Sequence, residues 1–536
     1  MRSMMLRVLR GTVLAMAAVW GPAALALTAQ DALQLVEGTI GERVEALARL
    51  AAEPDDQAAA LIRALADESV RYQDGRVFIV EGDRARDAVS GETLALPEGA
   101  EEPMINNRLR GALQTALAGL DLLADDVATQ RRAAATLQAS AFDDPDPAQL
   151  PLIDGALAPG HADRLDVHAR ESLLLAQAAL QLGSDEVPVR QAAAQKLGDA
   201  RQPIVRALLQ QRLDVEEDAA VKASLKASLS AVDRSLATSA ALGQVFTGVS
   251  LGSILLLAAL GLAITYGLMG VINMAHGELI MIGAYATYVV QSLFRQYLPG
   301  AFDWYLLAAL PAAFLSSALV GALMERSVIR FLYGRPLETL LATWGISLVL
   351  MQAVRSLFGA QNVAVENPAW MSGGVTVLGN LTLPWNRIVI IAFAMLVLAG
   401  VALLISRTRL GLFVRGVTQN RPIAACMGVN TARVDTFAFA AGSGIAGLGG
   451  CALSQVGNVG PDLGQSYIVD SFMVVVLGGV GQLAGTVYAA LGLGVINKFL
   501  EGWTGAVLAK IAVLVFIIVF IQKRPQGIFA LKGRTA

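Results

Sequence analysis

Three side chains that can exchange hydrogen bonds interrupt an otherwise apolar stretch of this chain: Asn273, His276 and Glu278. They end the run 265–278, whose glycines favour a break in a helix. Polar groups deep in an apolar segment usually line a cavity or satisfy broken backbone, because lipid offers them no partner. The pattern therefore predicts a polar site on a solute path.

A second interruption, the glycine run 478–485, separates two short apolar segments. Paired breaks are typical of a translocation site, so we expect Gly478, Gly479 and Gly481 to line the same path. The alternative is that both breaks are tight turns near a membrane surface. A phosphate-binding loop is excluded, because Gly485 is followed by Thr486 with no lysine nearby. We therefore expect no ATP hydrolysis by this chain and no cofactor.

The other histidines and the cysteines give no catalytic or metal-binding set. His161 and His168 are seven residues apart on a polar stretch, which is typical of solvated histidines rather than zinc ligands. Cys426 and Cys451 both lie in the apolar half, so the polar half is expected to fold without disulfides. These patterns indicate a transport protein rather than an enzyme.

A third candidate is the connection 406–435, which is basic and contains a short helical segment. Residues 418–420 can cap this helix, Pro422 suits its first turn, and Gly428 is placed to end it. A short helix between two spans, with small residues on one side, favours docking into a groove on a soluble partner. The alternative is a basic loop without a partner.

An apolar scaffold must position these residues, and the composition provides one. The mean hydropathy is +0.55 and 55% of the 536 residues are hydrophobic, which is typical of membrane proteins. The net charge of −3 argues against a nucleic-acid partner. Segments of spanning length predict nine membrane helices: 245–267, 274–293, 303–324, 337–358, 386–406, 434–456, 467–482, 484–500 and 505–522.

Positively charged residues indicate the orientation of these spans. They cluster in the third connection, the fifth connection and the tail: Arg326, Arg330, Arg335; Arg407, Arg409, Arg415, Arg421, Arg433; Lys523, Arg524, Lys532, Arg534. If the N-terminal part is exported, counting the spans places all three regions in the cytoplasm. The connections 359–385 and 457–466, which are poor in lysine and arginine, then face outward.

The first 26 residues have the pattern of a secretory signal. Arg2, Arg7 and Arg10 precede an apolar core from Gly11 to Trp20 that is too short to span a bilayer. Ala24-Leu-Ala26 is a small-x-small site, which predicts cleavage after Ala26. The alternative is a short uncleaved anchor.

The segment from Leu27 to about Thr238 is polar and amphipathic at helical spacing. The β-rich patch 76–80, bounded by glycines and Pro97, predicts a small hairpin. Two alanine-rich segments that begin at Arg131 and Arg190 resemble each other. They favour stacked helical hairpins of the HEAT kind, or equally an ordinary alanine-rich helical domain.

Together these patterns predict an all-α fold in three parts. A signal peptide at 1–26 precedes a mostly helical exported domain at 27–238, and a polytopic membrane helix bundle follows at 239–536. The role expected of the exported domain is to bind a partner, which the sequence does not identify.

Five segments of the apolar half, taken in order, resemble the branched-chain amino acid/urea ABC permease family. They are Asn273-Met-Ala-His-Gly-Glu278, Pro336-Leu-Glu-Thr-Leu-Leu-Ala-Thr-Trp-Gly-Ile-Ser347, Gly411-Leu-Phe-Val-Arg415, Leu477-Gly-Gly-Val-Gly481 and Arg524-Pro-Gln-Gly527. The resemblance implies half of an importer in a bacterial inner membrane. It also implies a second homologous permease, two cytoplasmic ATPase subunits that hydrolyse the ATP, and a periplasmic solute-binding protein.

The resemblance also assigns expected roles to single residues. Thr343 and Ser347 join the expected solute path. The segment 424–428 is similar to the coupling helix that rests on an ATPase. The residues expected at that contact are Arg415, Arg421, Ala424, Ala425, Met427 and Gly428.

The long exported extension, including Asn106-Asn-Arg-Leu-Arg110, resembles the urea-type permeases, so the leading hypothesis is a urea importer subunit. The alternatives are the same machine for branched-chain amino acids or short amides, and a passive channel regulated by its exported domain. Three positions depart from the family pattern: Met274 stands in place of a frequent Phe, 419–421 in place of an acidic residue, and Asp470-Ser471 in place of Lys-Ala. They bear on coupling and gating.

Overall fold

The computed structural model describes residues 27–52, 55–82, 84–97, 99–122, 124–377 and 381–529. The predicted export signal lies outside these ranges. The described residues form two compact units, and the boundary between them falls after Ala237. Both units are mostly helical.

The first unit is built from amphipathic helices that bury leucine and alanine faces in one core. For example, α4 begins after Asn106, whose Oδ1 accepts a hydrogen bond from the backbone of Leu109 at 2.9 Å. The helices that lie within this unit are: α1 Ala29–Glu37, α2 Ile40–Ala52, α3 Asp56–Ala66, α4 Asn107–Asp121, α5 Val127–Asp143, α6 Leu150–Leu157, α7 Val167–Gln181, α8 Val187–Gly198 and α9 Pro203–Val215.

The predicted small hairpin is part of a larger sheet. Four antiparallel strands pair in chain order: β1 Val70–Gln73, β2 Arg76–Glu81, β3 Arg84–Asp87 and β4 Thr93–Leu94. Asp74 and Gly75 turn the chain between β1 and β2 with φ of 49° and 74°. The last two strands are short and polar, so they lack the alternation that would predict them from sequence.

The two similar alanine-rich segments lie in α5 and α8, and each begins with an arginine that binds a distant acid. Arg131 contacts both oxygens of Asp166 at 2.7 and 2.9 Å. Arg190 contacts both oxygens of Glu216 at 3.0 Å. Each arginine therefore ties its helix to a later connection of the chain. The HEAT-like arrangement stays a prediction.

Glu216 is buried and receives a second arginine, Arg212, at 2.8 Å. Burial by itself raises the pKa of Glu216, but the hydrogen bonds from Arg190 and Arg212 outweigh it. They lower the pKa from 4.5 to about 2.

The second unit is a bundle of long helices joined by short connections. Its elements are: α10 Ala219–Met269, which begins before the boundary, α11 His276–Tyr297, α12 Tyr305–Ser327, α13 Pro336–Phe358, β5 Gly374–Val377, β6 Leu381–Pro384, α14 Trp385–Arg407, α15 Arg409–Gln419, α16 Arg421–Cys426, α17 Thr431–Ser454, α18 Leu463–Gly478, α19 Leu483–Thr504 and α20 Ala506–Lys523. Short 3₁₀ helices occur at Pro147–Gln149, Pro299–Trp304, Ile329–Leu332 and Ala369–Met371.

Each of the nine predicted spans coincides with one of these helices. Within the described ranges, seven helices are long and apolar enough to cross a membrane: α10, α12, α13, α14, α17, α19 and α20. The other two are α11, which begins with buried polar residues, and α18, which has only 16 residues. The all-α polytopic bundle predicted from the sequence is confirmed.

Glycines allow the central helices of this bundle to touch through their backbones. A side chain at Gly450 of α17 would collide with the carbonyl oxygen of Ile280 in α11, and one at Gly283 of α11 would collide with Gly447. Such close approach is typical of membrane helices, which lack a hydrophobic driving force between them. α17 and α11 are therefore in rigid contact along part of their length.

Candidate functional site

The first predicted break is a true interruption of helix. Residues 270–275 separate α10 from α11, and Gly270 has φ of 64°, a conformation that favours glycine. Asn273 lies in this interruption and is buried, and its Oδ1 accepts a hydrogen bond from the backbone of Ala275 at 3.1 Å. The amide therefore replaces a helical partner that the broken backbone has lost.

Helix α13 faces this break with two hydroxyl groups one turn apart. Thr343 Oγ1 accepts a hydrogen bond from the backbone of Met274 at 3.1 Å, and Ser347 donates to Glu278 Oε1. Residues four apart on a helix share one face, so both hydroxyls point to the same place. Asn273, Glu278, Thr343 and Ser347 thus converge, although nearly seventy residues separate the two segments.

His276 completes this polar site from the first turn of α11. Its Nε2 lies 2.9 Å from the carbonyl oxygen of Ala258 in α10. Asn273, His276 and Glu278 are all at most 1% exposed. Three buried polar atoms of the site have no hydrogen-bond partner among the described residues: Asn273 Nδ2, His276 Nδ1 and Glu278 Oε2. The site therefore keeps unused capacity both to donate and to accept hydrogen bonds.

Gly464 is a member of this site that the sequence analysis missed. A side chain there would collide with Glu278 Oε2 and with the carbonyl of Gly277. Gly464 is the second residue of α18 and lies three residues before the predicted start of that span. The nearby Gly457 and Gly460 were the only signal for it in the sequence.

The structure places the three glycines of the second break elsewhere. Gly478 packs against Gly485, Gly479 against the carbonyl of Phe529, and Gly481 against Gly267. The backbone of Ile528 also donates to the carbonyl of Leu477 at 2.8 Å. These contacts are close backbone packing between a loop, the end of α10 and the C-terminal segment. A role of these glycines on the solute path stays a prediction.

The basic connection folds into two short helices, α15 and α16. Asn420 caps α16 by accepting from the backbone of Ile423 at 3.1 Å, and Gly428 follows it with φ of 83°. Ala424 is buried against Val417 and Val434. The predicted contact residues therefore divide into a buried anchor, Ala424, and exposed positions.

The exposed side of α16 is largely apolar. Met427 is 79% exposed and Ile423 is 60% exposed, and Ala425 and Cys426 are exposed beside them. Large apolar side chains that stand together on a short helix are typical of an interaction surface.

The two arginines predicted at this surface differ. Arg415 is exposed and its Nε donates to the carbonyl of Gly411 within its own helix at 3.3 Å. Arg421 is half-buried and forms an ion pair with the buried Asp435 of α17. Arg415 is therefore free to meet a partner, whereas Arg421 holds α16 against the bundle.

The described part of the chain contains no group of three or more His, Cys, Asp or Glu residues that could hold a metal ion. Glu278 likewise forms no ion pair with any described residue.

Residues 244–522 match the family described as "Branched-chain amino acid transport system / permease component". The match covers the whole polar site and the segment from α15 to α16. It leaves residues 27–243 outside.

Curated relatives match this chain over about half its length. The high-affinity branched-chain amino acid transport system permease protein BraD of Pseudomonas aeruginosa is 29% identical over 54% of this chain and 95% of its own length. The corresponding protein LivH of Escherichia coli K12 is 28% identical over 54% of this chain and 94% of its own length. A probable LivH permease of Methanocaldococcus jannaschii is 25% identical over 52% and 88%. No solved structure matches the chain.

Proposed function

The chain belongs to the branched-chain amino acid transport system permease family, and from this premise we propose that it is one permease half of an ATP-driven importer for urea. The buried polar site between α10, α11 and α13 is the observation on which this proposal depends. Hydrogen-bonding groups from separate helices converge there beside a helix break, as expected of a translocation site.

The chemistry of this site suits a small neutral solute. Urea carries one strong acceptor and four N–H donors. The site supplies the amide of Asn273, the imidazole of His276 and the carboxyl group of Glu278, each with a free polar atom. A fixed cation that would select for a carboxylate is missing from the described residues around Glu278.

The long first unit is the second support for urea. The alignments with BraD and LivH cover at least 94% of those proteins but only about half of this chain. The relatives therefore have little sequence that could correspond to the first unit. The resemblance of that extension to urea-type permeases favours urea.

Branched-chain amino acids are the second candidate substrate. The family description and the names of the three relatives all refer to branched-chain amino acid transport. The same path and the same partners would serve this function, so the two candidates differ only in the solute.

We further propose that α16 docks on a cytoplasmic ATPase subunit. Its exposed apolar residues Ile423 and Met427 would enter the groove, and Arg415 would lie at the rim. A second homologous permease, a second ATPase and a periplasmic solute-binding protein would complete the importer. The first unit would then be periplasmic and the C-terminus cytoplasmic, in a bacterial inner membrane.

Uptake of radiolabelled urea and leucine tests the substrate. Cells that lack this chain are compared with the same cells after its re-expression. Restored urea uptake alone supports the urea importer, and restored leucine uptake alone moves the proposal to amino acids. Restoration of neither would contradict the proposed function.

The substitution Ala425→Glu tests docking in the same cells. It places a charge on the exposed side of α16 and should reduce uptake at least about tenfold, because a charge buried in an apolar interface is costly. Ser406→Glu is the matched control, since this exposed residue lies in the last turn of α14, outside the docking helix. Undiminished uptake with Ala425→Glu would refute docking through α16.

A further inference from the structure

Two carboxylates at helix ends are fully buried on the side of the bundle that bears α16. Glu325 lies in the last turn of α12 and Asp435 is the fifth residue of α17, and neither is more than 1% exposed. Each is paired with a half-buried arginine: Glu325 with Arg330 at 3.4 Å, and Asp435 with Arg421. A buried charge is costly without its partner, so these pairs constrain the helices that carry them.

Hydrogen bonds join the two pairs into one cluster. Thr436 Oγ1 donates to Glu325 Oε2 at 2.6 Å, and the Tyr333 hydroxyl donates to Glu325 Oε1 at 3.1 Å. The guanidinium of Arg421 lies 4.9 Å from the centre of the Tyr333 ring. We call Glu325, Arg330, Tyr333, Arg421, Asp435 and Thr436 the charge cluster.

The charge cluster connects the docking helix to the polar site through rigid contacts. Arg421 is the first residue of α16, and Asp435 and Thr436 belong to α17. α17 touches α11 through backbone contacts at Gly447 and Gly450. α11 begins with His276 and Glu278. A displacement of α16 therefore has a packed route to the polar site.

The charge cluster also holds two unused groups of opposite charge. Asp435 Oδ1 and Arg330 Nε are buried and have no hydrogen-bond partner among the described residues. If α16 moved and withdrew Arg421, Asp435 would need another cation, and Arg330 is the other arginine of the cluster. The cluster therefore keeps unused hydrogen-bonding groups of both charges beside the ion pair that α16 provides.

We propose that the charge cluster transmits movement of α16 to α17 and so couples ATP hydrolysis to opening of the solute path. Its members are positioning residues, since each contacts another member and would act on the path through α17. This inference depends on the proposed docking of an ATPase on α16. It adds the contacts through which the docked ATPase subunit would move α17.

The test uses the complete transporter, with all its subunits, in proteoliposomes. Solute uptake and ATP hydrolysis are measured together with retention of the ATPase subunits. Glu325→Gln should leave the ATPase bound and active while uptake per ATP falls about tenfold, because the neutral amide no longer pairs with Arg330 and the contact that links α12 to α17 is weakened. Tyr333→Phe removes one hydroxyl and should lower the same ratio about threefold.

A charge exchange separates coupling from general damage. Arg421→Asp and Asp435→Arg should each reduce uptake per ATP at least about tenfold, and together they should restore it to within about threefold. Arg326→Gln is the matched control: it removes an exposed arginine of α12 that is not a member of the cluster and should keep the wild-type ratio in the assembled transporter.

The outcomes distinguish failure of the transmitting role from failure of the proposed function. Unchanged uptake per ATP in Glu325→Gln and Tyr333→Phe would overturn the transmitting role. Loss of the ATPase subunits from these variants, as expected only for Ala425→Glu, would also overturn it and assign the cluster to docking. Uptake by the wild-type transporter without ATP hydrolysis would refute the proposed function itself.

Discussion

Both units of this chain bury a glutamate, but they surround it differently. Glu216 of the first unit is held by Arg190 and Arg212, whereas Glu278 of the second receives only the hydroxyl of Ser347 among the described residues. An arginine keeps a buried carboxylate charged, and a hydroxyl does not compensate for a charge. The difference indicates that Glu216 stabilises the fold through its charge, whereas for Glu278 we propose a role at the solute site through hydrogen bonding.

The most severe test of this difference fills the space beside Glu278. Gly464→Leu should reduce solute uptake at least about 100-fold, because its side chain would collide with Glu278 and with the backbone of Gly277, and packed backbone does not yield. Uptake and surface expression are measured together. Gly400→Leu is the control, since a Cβ at this exposed glycine meets nothing within 4 Å. Equal uptake by the two variants would remove Gly464 from the site.

The second test removes the charge of Glu216 in the first unit. Since the pKa of Glu216 in the folded chain is lowered to about 2, its contribution is complete above pH 4.5 and is lost as pH falls towards 2. Glu216→Gln should therefore lower the free energy of unfolding by about 2 kcal/mol at pH 7, a value reduced for screening at the partly exposed Arg212. The difference from wild type should shrink between pH 4.5 and pH 2.

Thermal unfolding of the full chain in nanodiscs at pH 7, 5 and 3 checks this expectation. Between residues 27 and 237 the sequence contains no tryptophan, so tryptophan fluorescence reports the second unit and serves as an internal control. A Glu216→Gln effect that is independent of pH would show that the ion pairs do not act through charge.

A smaller effect is expected at the start of α4. Asn106 caps this helix through its contact with the backbone of Leu109 at 2.9 Å. Asn106→Ala should lower the free energy of unfolding by about 1 kcal/mol, and Asn106→Asp should keep most of it. The same unfolding assay measures both variants. A loss of uptake without a loss of stability would instead give this segment a functional role.

The smallest change in uptake is expected at Glu278, whose carboxyl group receives only the hydroxyl of Ser347 among the described residues. Glu278→Gln keeps an acceptor for Ser347 and removes only the ability to ionise, so uptake should stay within about threefold of wild type. The same change at Glu325, which faces an arginine, should reduce uptake per ATP about tenfold. Equal losses at both positions would show that Glu278 also acts through its charge.

The sequence was sufficient to identify elements that depend on local pattern. The nine helices follow from apolar runs of spanning length, and Asn273, His276 and Glu278 stand out as polar residues within such a run. The spacing of four residues from Thr343 to Ser347 places both on one face of a helix.

Contacts between distant segments could not be predicted in this way. Gly464 reaches Glu278 across 186 residues, and Thr436 reaches Glu325 across 111. Such pairs leave no periodic pattern in the sequence, because they depend on how the helices pack. A Glu at the end of one span and an Asp at the start of another were the only signs of the charge cluster in the sequence.

Solvent accessibility at position 347 shows whether the polar site lies on the solute path. Ser347→Cys is introduced together with Cys426→Ser and Cys451→Ser, which removes the chain's two native thiols. In the complete transporter, the new thiol should react with a water-soluble methanethiosulfonate reagent faster during ATP turnover than at rest, and saturating urea or leucine should slow that reaction. Reactivity that is unaffected by both ATP and solute would show that the polar site does not lie on the path.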